Sequence, residues 1–185
     1  MKKLIITVMT LGILLTACTG SNWQFPVDHL PEEFLDIQRE VIDENLEILK
    51  ENPDNFDATF EVGYRYGQLG QLKNAAEYYL KALEIAPLSS RTMNNLANTY
   101  EKAKEYEEAA IYAKMNFERN TTNIEALKDV VRILLKADEP NNAASAVSEF
   151  LVATSLEDGQ PNPNYALLIS ELSQDIHAYN TENTE

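Results

Sequence analysis

The chain has 185 residues, with 15 basic and 30 acidic side chains and a formal net charge of −15. That length is about one domain, and so large an acidic excess gives no electrostatic footing for nucleic acid, which binds clustered Lys and Arg. A single cysteine excludes a disulfide framework, so stability must come from packing.

In chain order, Lys2 and Lys3 are followed by the apolar run Leu4–Leu15 and then by Ala17-Cys18. This is the three-part layout of a secretory signal. The 12 apolar residues are too few to cross a hydrocarbon core, which needs about 20. Leu15-Thr16-Ala17-Cys18 resembles the bacterial lipobox. The resemblance implies that residues 1–17 are removed and that Cys18 is lipidated as the new first residue. Several acyl chains make such an anchor stable where one is marginal. Thr19, rather than Asp, at the second mature position implies the outer membrane, facing the periplasm. A Gram-positive host would place the protein on the outer face of the cytoplasmic membrane.

Residues 18–31 are polar, carry Pro26 and Pro31, and lack a helical period, so they read as a tether. Trp23 and Phe25 would cover the first helix, lie on the surface or touch the membrane interface. Residues 32–53 predict one helix with a wide apolar face: Phe34, Leu35, Ile37, Val41, Ile42, Leu46, Ile48 and Leu49. Asn52-Pro53 ends it, since the residue before proline is pushed out of helical conformation.

Residues 54–154 repeat with a period of 34. Pro53 and Pro87, Gly63 and Ala97, Tyr66 and Tyr100, and Ala75 and Ala109 are each one period apart. The units fall at about 54–87, 88–121 and 122–154, each with two amphipathic segments. Gly63, Tyr66, Ala75, Tyr79, Ala82 and Pro87 resemble the tetratricopeptide-repeat family. The resemblance implies an all-α solenoid of about three helix pairs, in which small residues sit where paired helices approach and tyrosines fill the wider gaps. The second unit keeps Met93, Leu96, Ala97, Tyr100, Ala109 and Phe117. The third keeps the period more than the motif, with Val131 and Phe150 where small residues are expected. Residues 32–53 then read as half a preceding repeat that caps the array, because Ile48 and Leu49 lie one period before Ala82 and Leu83. Residues 155–185 read as a loop, a C-terminal capping helix over about Tyr165–Ala178, and a frayed tail.

The inventory holds no catalytic set. His29 and His177 are far apart in sequence, there is no metal-ligand spacing, and the glycines of the first unit lie in a helical hairpin rather than a phosphate loop. The expectation is no enzyme, no cofactor, no metal and no nucleic acid. The family resemblance implies that the first helix of each pair lines a concave groove. Its candidate residues are Phe60 and Tyr64, then Arg91, Asn94, Asn98 and Lys102, then Lys128, Arg132 and Lys136. Asparagines suit an extended peptide backbone and basic residues an acidic side chain or terminal carboxylate. The resemblance to the chaperone-binding carboxylate clamp fails, because Phe60 and Tyr64 stand where it has lysine and asparagine. The resulting expectation is a membrane-anchored adaptor of the bacterial cell envelope that holds another protein or peptide. A lipoprotein that stacks a saccharide or cell-wall fragment on Phe60 and Tyr64 is the alternative.

Overall fold

The computed structural model describes residues 23–183, and the proposed signal and Cys18 lie outside them. Among the described residues eight α-helices follow one another: α1 (Glu32–Glu51), α2 (Phe56–Gln68), α3 (Leu72–Ile85), α4 (Ser90–Ala103), α5 (Tyr106–Arg119), α6 (Ile124–Lys136), α7 (Pro140–Ala153) and α8 (Ala166–Glu182). A single 3₁₀ turn, Pro163–Tyr165, precedes α8. Each helix packs on the next, and α8 also reaches back to α6. The fold is an all-α solenoid.

The period is written in the backbone as well as in the packing residues. Asn55, Ser89 and Asn123, each 34 apart, cap α2, α4 and α6 through their side chains. An unpaired amide at a helix start is satisfied in this way at each repeat. Within each pair, the residue that turns the chain adopts a left-handed conformation, at Gly70 (φ 68°), Lys104 (φ 64°) and Asp138 (φ 61°). These positions are again 34 apart. Pro140 opens α7, where its missing N–H costs nothing.

The core is continuous along the array. Ala75, Ala82, Ala109 and Ala143, the small positions of the repeat pattern, are fully buried. A Cβ on Gly63 would stand 3.0 Å from the Tyr79 ring, which accounts for glycine there. Thr59 is buried where the family pattern has a large apolar residue, and its hydroxyl donates to the Asn55 carbonyl at 2.8 Å. The larger Val131 and Phe150 of the third pair are accommodated because α8 closes that end. Phe150 meets Tyr165 edge-on at 5.0 Å, and Leu172 and Ile176 of α8 are buried.

Two expectations are corrected. The tail expected to fray from Tyr179 stays helical to Glu182, and the Tyr179 hydroxyl donates to Asp138 at 2.7 Å. The segment expected to be a loose tether is docked from Trp23 onward. Phe25 N–H donates to the Gly70 carbonyl at 2.8 Å, and Leu72 N–H to the Trp23 carbonyl at 3.1 Å. The Trp23 ring meets Tyr100 edge-on at 5.7 Å, while Val27 and Leu30 pack beside Leu69. This strap explains why only the first hairpin uses glycine. A Cβ at Gly70 would lie 2.0 Å from the Phe25 carbonyl oxygen, whereas Lys104 and Asp138 take the same left-handed turn with full side chains.

Trp23 is the only tryptophan, so its emission reports the strap. Gly70→Ala is expected to release it, shifting tryptophan emission to the red and lowering stability by about 1–3 kcal/mol. An unchanged spectrum would show that the strap does not depend on this close approach.

Candidate functional site

The first helices of the three pairs, α2, α4 and α6, carry every predicted groove residue. Their side chains are not equivalent. Phe60 is buried, with 6% of its surface exposed. It packs 5.4 Å from the Tyr79 ring, and the Arg91 guanidinium lies over its face at 3.9 Å. Phe60 is therefore a core residue, not a contact for a ligand. Arg91, from the next repeat, covers it.

The basic residues were expected to await an acidic ligand. The fold already supplies acids to four of the five. Arg91 pairs with Asp57 at 3.3 Å, one period back. Lys128 pairs with Glu125 at 3.2 Å. Arg132 pairs with Asp129 at 2.8 Å and with Glu101, and Lys136 pairs with Glu101 at 2.7 Å. Glu101 is the hub of this network, with only 13% of its side chain exposed. Burial pushes its carboxyl upward, but the hydrogen bonds from Arg132 and Lys136 outweigh that and hold it below its ordinary value. The α4–α6 part of the face is thus tied together by charge.

The fifth base stands apart. Lys102 is exposed, with its ammonium 5.6 Å from the centre of the Phe25 ring. It borders a small cleft of about 50 Å³ between α2 and α4, lined by Tyr64, Gln68, Asn95, Asn98 and Thr99, with Tyr79 at its base. Tyr64 is exposed and Asn98 half-buried, so the structure brings together Tyr64, Asn98 and Lys102 from the predicted set. Asn94 is half-buried and lies outside this cleft. Gln68 joins the cleft as well, one helical turn after Tyr64.

The strap forms one boundary of this region. Trp23 packs on Tyr100, which stacks on Tyr112 at 5.8 Å with rings 3° from parallel. Burial pushes the Tyr100 phenol up to about 12, so it stays neutral throughout the physiological range. Among the described residues, no group of three or more His, Cys, Asp or Glu could hold a metal ion. Among them, too, no helix is long and apolar enough to cross a membrane.

Part of the repeat array matches known repeat models. Residues 57–87 and residues 78–110 each match a tetratricopeptide-repeat model. No curated protein matches the chain. Among solved structures, the chain is similar to MamA, with a TM-score of 0.55, 16% identity, and coverage of 75% of this chain and 81% of that one. MamA from Desulfovibrio magneticus RS-1 also gives a TM-score of 0.55, with 17% identity and coverage of 64% and 67%. The type III secretion translocator chaperone SycD of Yersinia enterocolitica gives 0.51, with 13% identity and coverage of 72% and 89%.

Glu101 generates a test of the charge network. Its carboxyl is lowered in the folded state, so its contribution is present above the ordinary value of 4.5 and is lost as pH falls through the lowered one. Glu101→Gln is expected to lower Tm at pH 7, and the gap from the parent should close as pH is stepped down from 4.5. A gap that stays constant with pH would show that the network does not stabilise the fold.

Proposed function

We propose that this tetratricopeptide-repeat protein is an adaptor, anchored in the bacterial cell envelope through lipidated Cys18, that holds an extended segment of another protein on its concave face. The observation that carries the reading is the cleft of Tyr64, Gln68, Asn98 and Lys102. Its amides offer donors and acceptors in the arrangement an extended peptide backbone needs. The repeat family is one of protein-binding scaffolds, and the similar SycD is a type III secretion translocator chaperone. The paired state of Arg91, Lys128, Arg132 and Lys136 favours a polar, uncharged segment over a strongly acidic one. An acidic ligand would have to compete with carboxylates that the fold already places beside these bases.

The saccharide alternative loses support. Stacking a sugar on Phe60 and Tyr64 needs both rings exposed, and Phe60 is buried, which leaves Tyr64 alone. The cleft, at about 50 Å³, is also far below the roughly 300 Å³ at which small-molecule pockets begin. The chain reads as a binding protein.

The docked strap refines the anchor. Only residues 19–22 lie between Cys18 and docked Trp23. Five peptide units span at most about 18 Å, so a lipidated Cys18 would keep the fold close against its membrane. The outer membrane, facing the periplasm, remains the location proposed from Thr19.

Two measurements test the parts separately. Cys18→Ser is expected to move the protein from the membrane fraction to the soluble fraction of cells, and retention in the membrane would refute the anchor. A photo-crosslinking residue placed at Asn98 is expected to trap a discrete protein partner in the envelope, whereas one at exposed Ile111 on α5 should not. Equal adducts at both positions would refute the groove.

A further inference from the structure

A second surface lies at the opposite end of the array from α8. On α1, Leu35, Ile42, Leu46 and Leu49 face α2 and the core. A separate apolar row, Ile37, Val41 and Ile48, is turned away from them. Ile37 is 48% exposed and Ile48 is 46% exposed, with Val41 half-buried between them. The spacing of four and then seven residues puts the three on one line along the helix.

The repeat register says what this row is. Val41 and Ile48 lie one period before Ala75 and Ala82 of α3. Those alanines are fully buried, and a Cβ on Gly67 of α2, the first helix of the same pair, would lie 3.9 Å from Ala75. The chain supplies α1 as a second helix, but among the described residues no first helix is paired with it. The row Ile37–Val41–Ile48 is the empty seat of that helix.

The charge beside it says what fits. Glu33, Glu40, Glu44 and Glu51 form a line adjacent to the apolar row, and all four are exposed. The bases of α1 lie elsewhere. Arg39 is engaged by Glu32 at 2.8 Å and Asp36 at 2.6 Å, and Lys50 by Glu47 at 2.5 Å. A second copy of this chain would bring one acidic line against another, which is destabilising. We propose that α1 docks a basic amphipathic helix from a partner protein, which completes the missing helix pair. Its apolar side would cover Ile37, Val41 and Ile48, and its Lys or Arg flank would meet Glu33, Glu40, Glu44 and Glu51. The seat spans about three helical turns. It is independent of the concave cleft, so an adaptor of this form grips two segments at once.

The probe is a fluorescent synthetic helix of about 14 residues, with leucines at i, i+3, i+4 and i+7 and lysines on both flanks. A twin peptide carries glutamates in place of the lysines. Fluorescence anisotropy with the mature chain is expected to show binding of the lysine peptide, weakened by salt, and none of the glutamate twin. Ile37→Ser with Ile48→Ser, and separately Glu40→Lys with Glu44→Lys, should each weaken binding about tenfold or more. Circular dichroism should show both variants folded, since all four side chains are exposed. Tyr64→Ala should leave binding unchanged. Equal binding of both peptides, no binding at all, insensitivity to the α1 variants, or loss with Tyr64→Ala would each overturn the proposal. So would a dimer in sedimentation that Ile37→Ser with Ile48→Ser disperses, which would seat a second copy there.

Discussion

A helix pair of this size cannot bury its own apolar face, and the rest of the structure follows from that constraint. Each pair passes an uncovered face to its successor, and the small positions of the repeat pattern, Gly63, Ala75, Ala82, Ala109 and Ala143, are buried. The relay must stop at both ends. At one end α8 lays Leu172 and Ile176 over the third pair, and the bulky Phe150 finds a partner in Tyr165. At the other end α1 covers α2 but exposes a stripe of its own. Among the described residues the two ends therefore differ: α8 covers one, and the other leaves a stripe of α1 exposed.

The same constraint shapes the concave face. The first helices stand side by side at a fixed repeat, so a charge on one reaches the next at a spacing near 34. Arg91 reaches Asp57 in this way, and Arg132 and Lys136 both reach Glu101. These pairs are partly exposed and individually weak. They leave Tyr64, Gln68, Asn98 and Lys102 as cleft residues outside the ion-pair network. The strap adds a boundary there, through Trp23 on Tyr100 and Phe25 beside Lys102.

Much of this was legible in the sequence, because a repeat states its packing several times over. The period, the small residues and the terminal helices could all be read from spacing. Two further signals were present and overlooked: the capping side chains at 55, 89 and 123, and the turning residues at 70, 104 and 138, both at the same period. What could not be read is what depends on contacts made only after folding. Phe60 sits at a groove position by register, but Arg91 covers it, and nothing local announces that lid. The strap looked like a polar linker because its two anchoring hydrogen bonds use backbone atoms at Gly70 and Leu72, which carry no sequence signature. The glycine at position 70 was visible, but its reason, the Phe25 carbonyl, was not.

The central claim is that stability is relayed from pair to pair and that the relay is left open at α1. Native-state hydrogen exchange followed helix by helix tests it most directly, since each segment reports its own opening free energy. The account predicts the slowest exchange in α4 and α6, faster exchange in α1 than in the interior helices, and protection of the Phe25 amide by its bond to Gly70. Uniform protection along the array, or an α1 as protected as α4 with a Phe25 amide exchanging at the rate of an open chain, would contradict it.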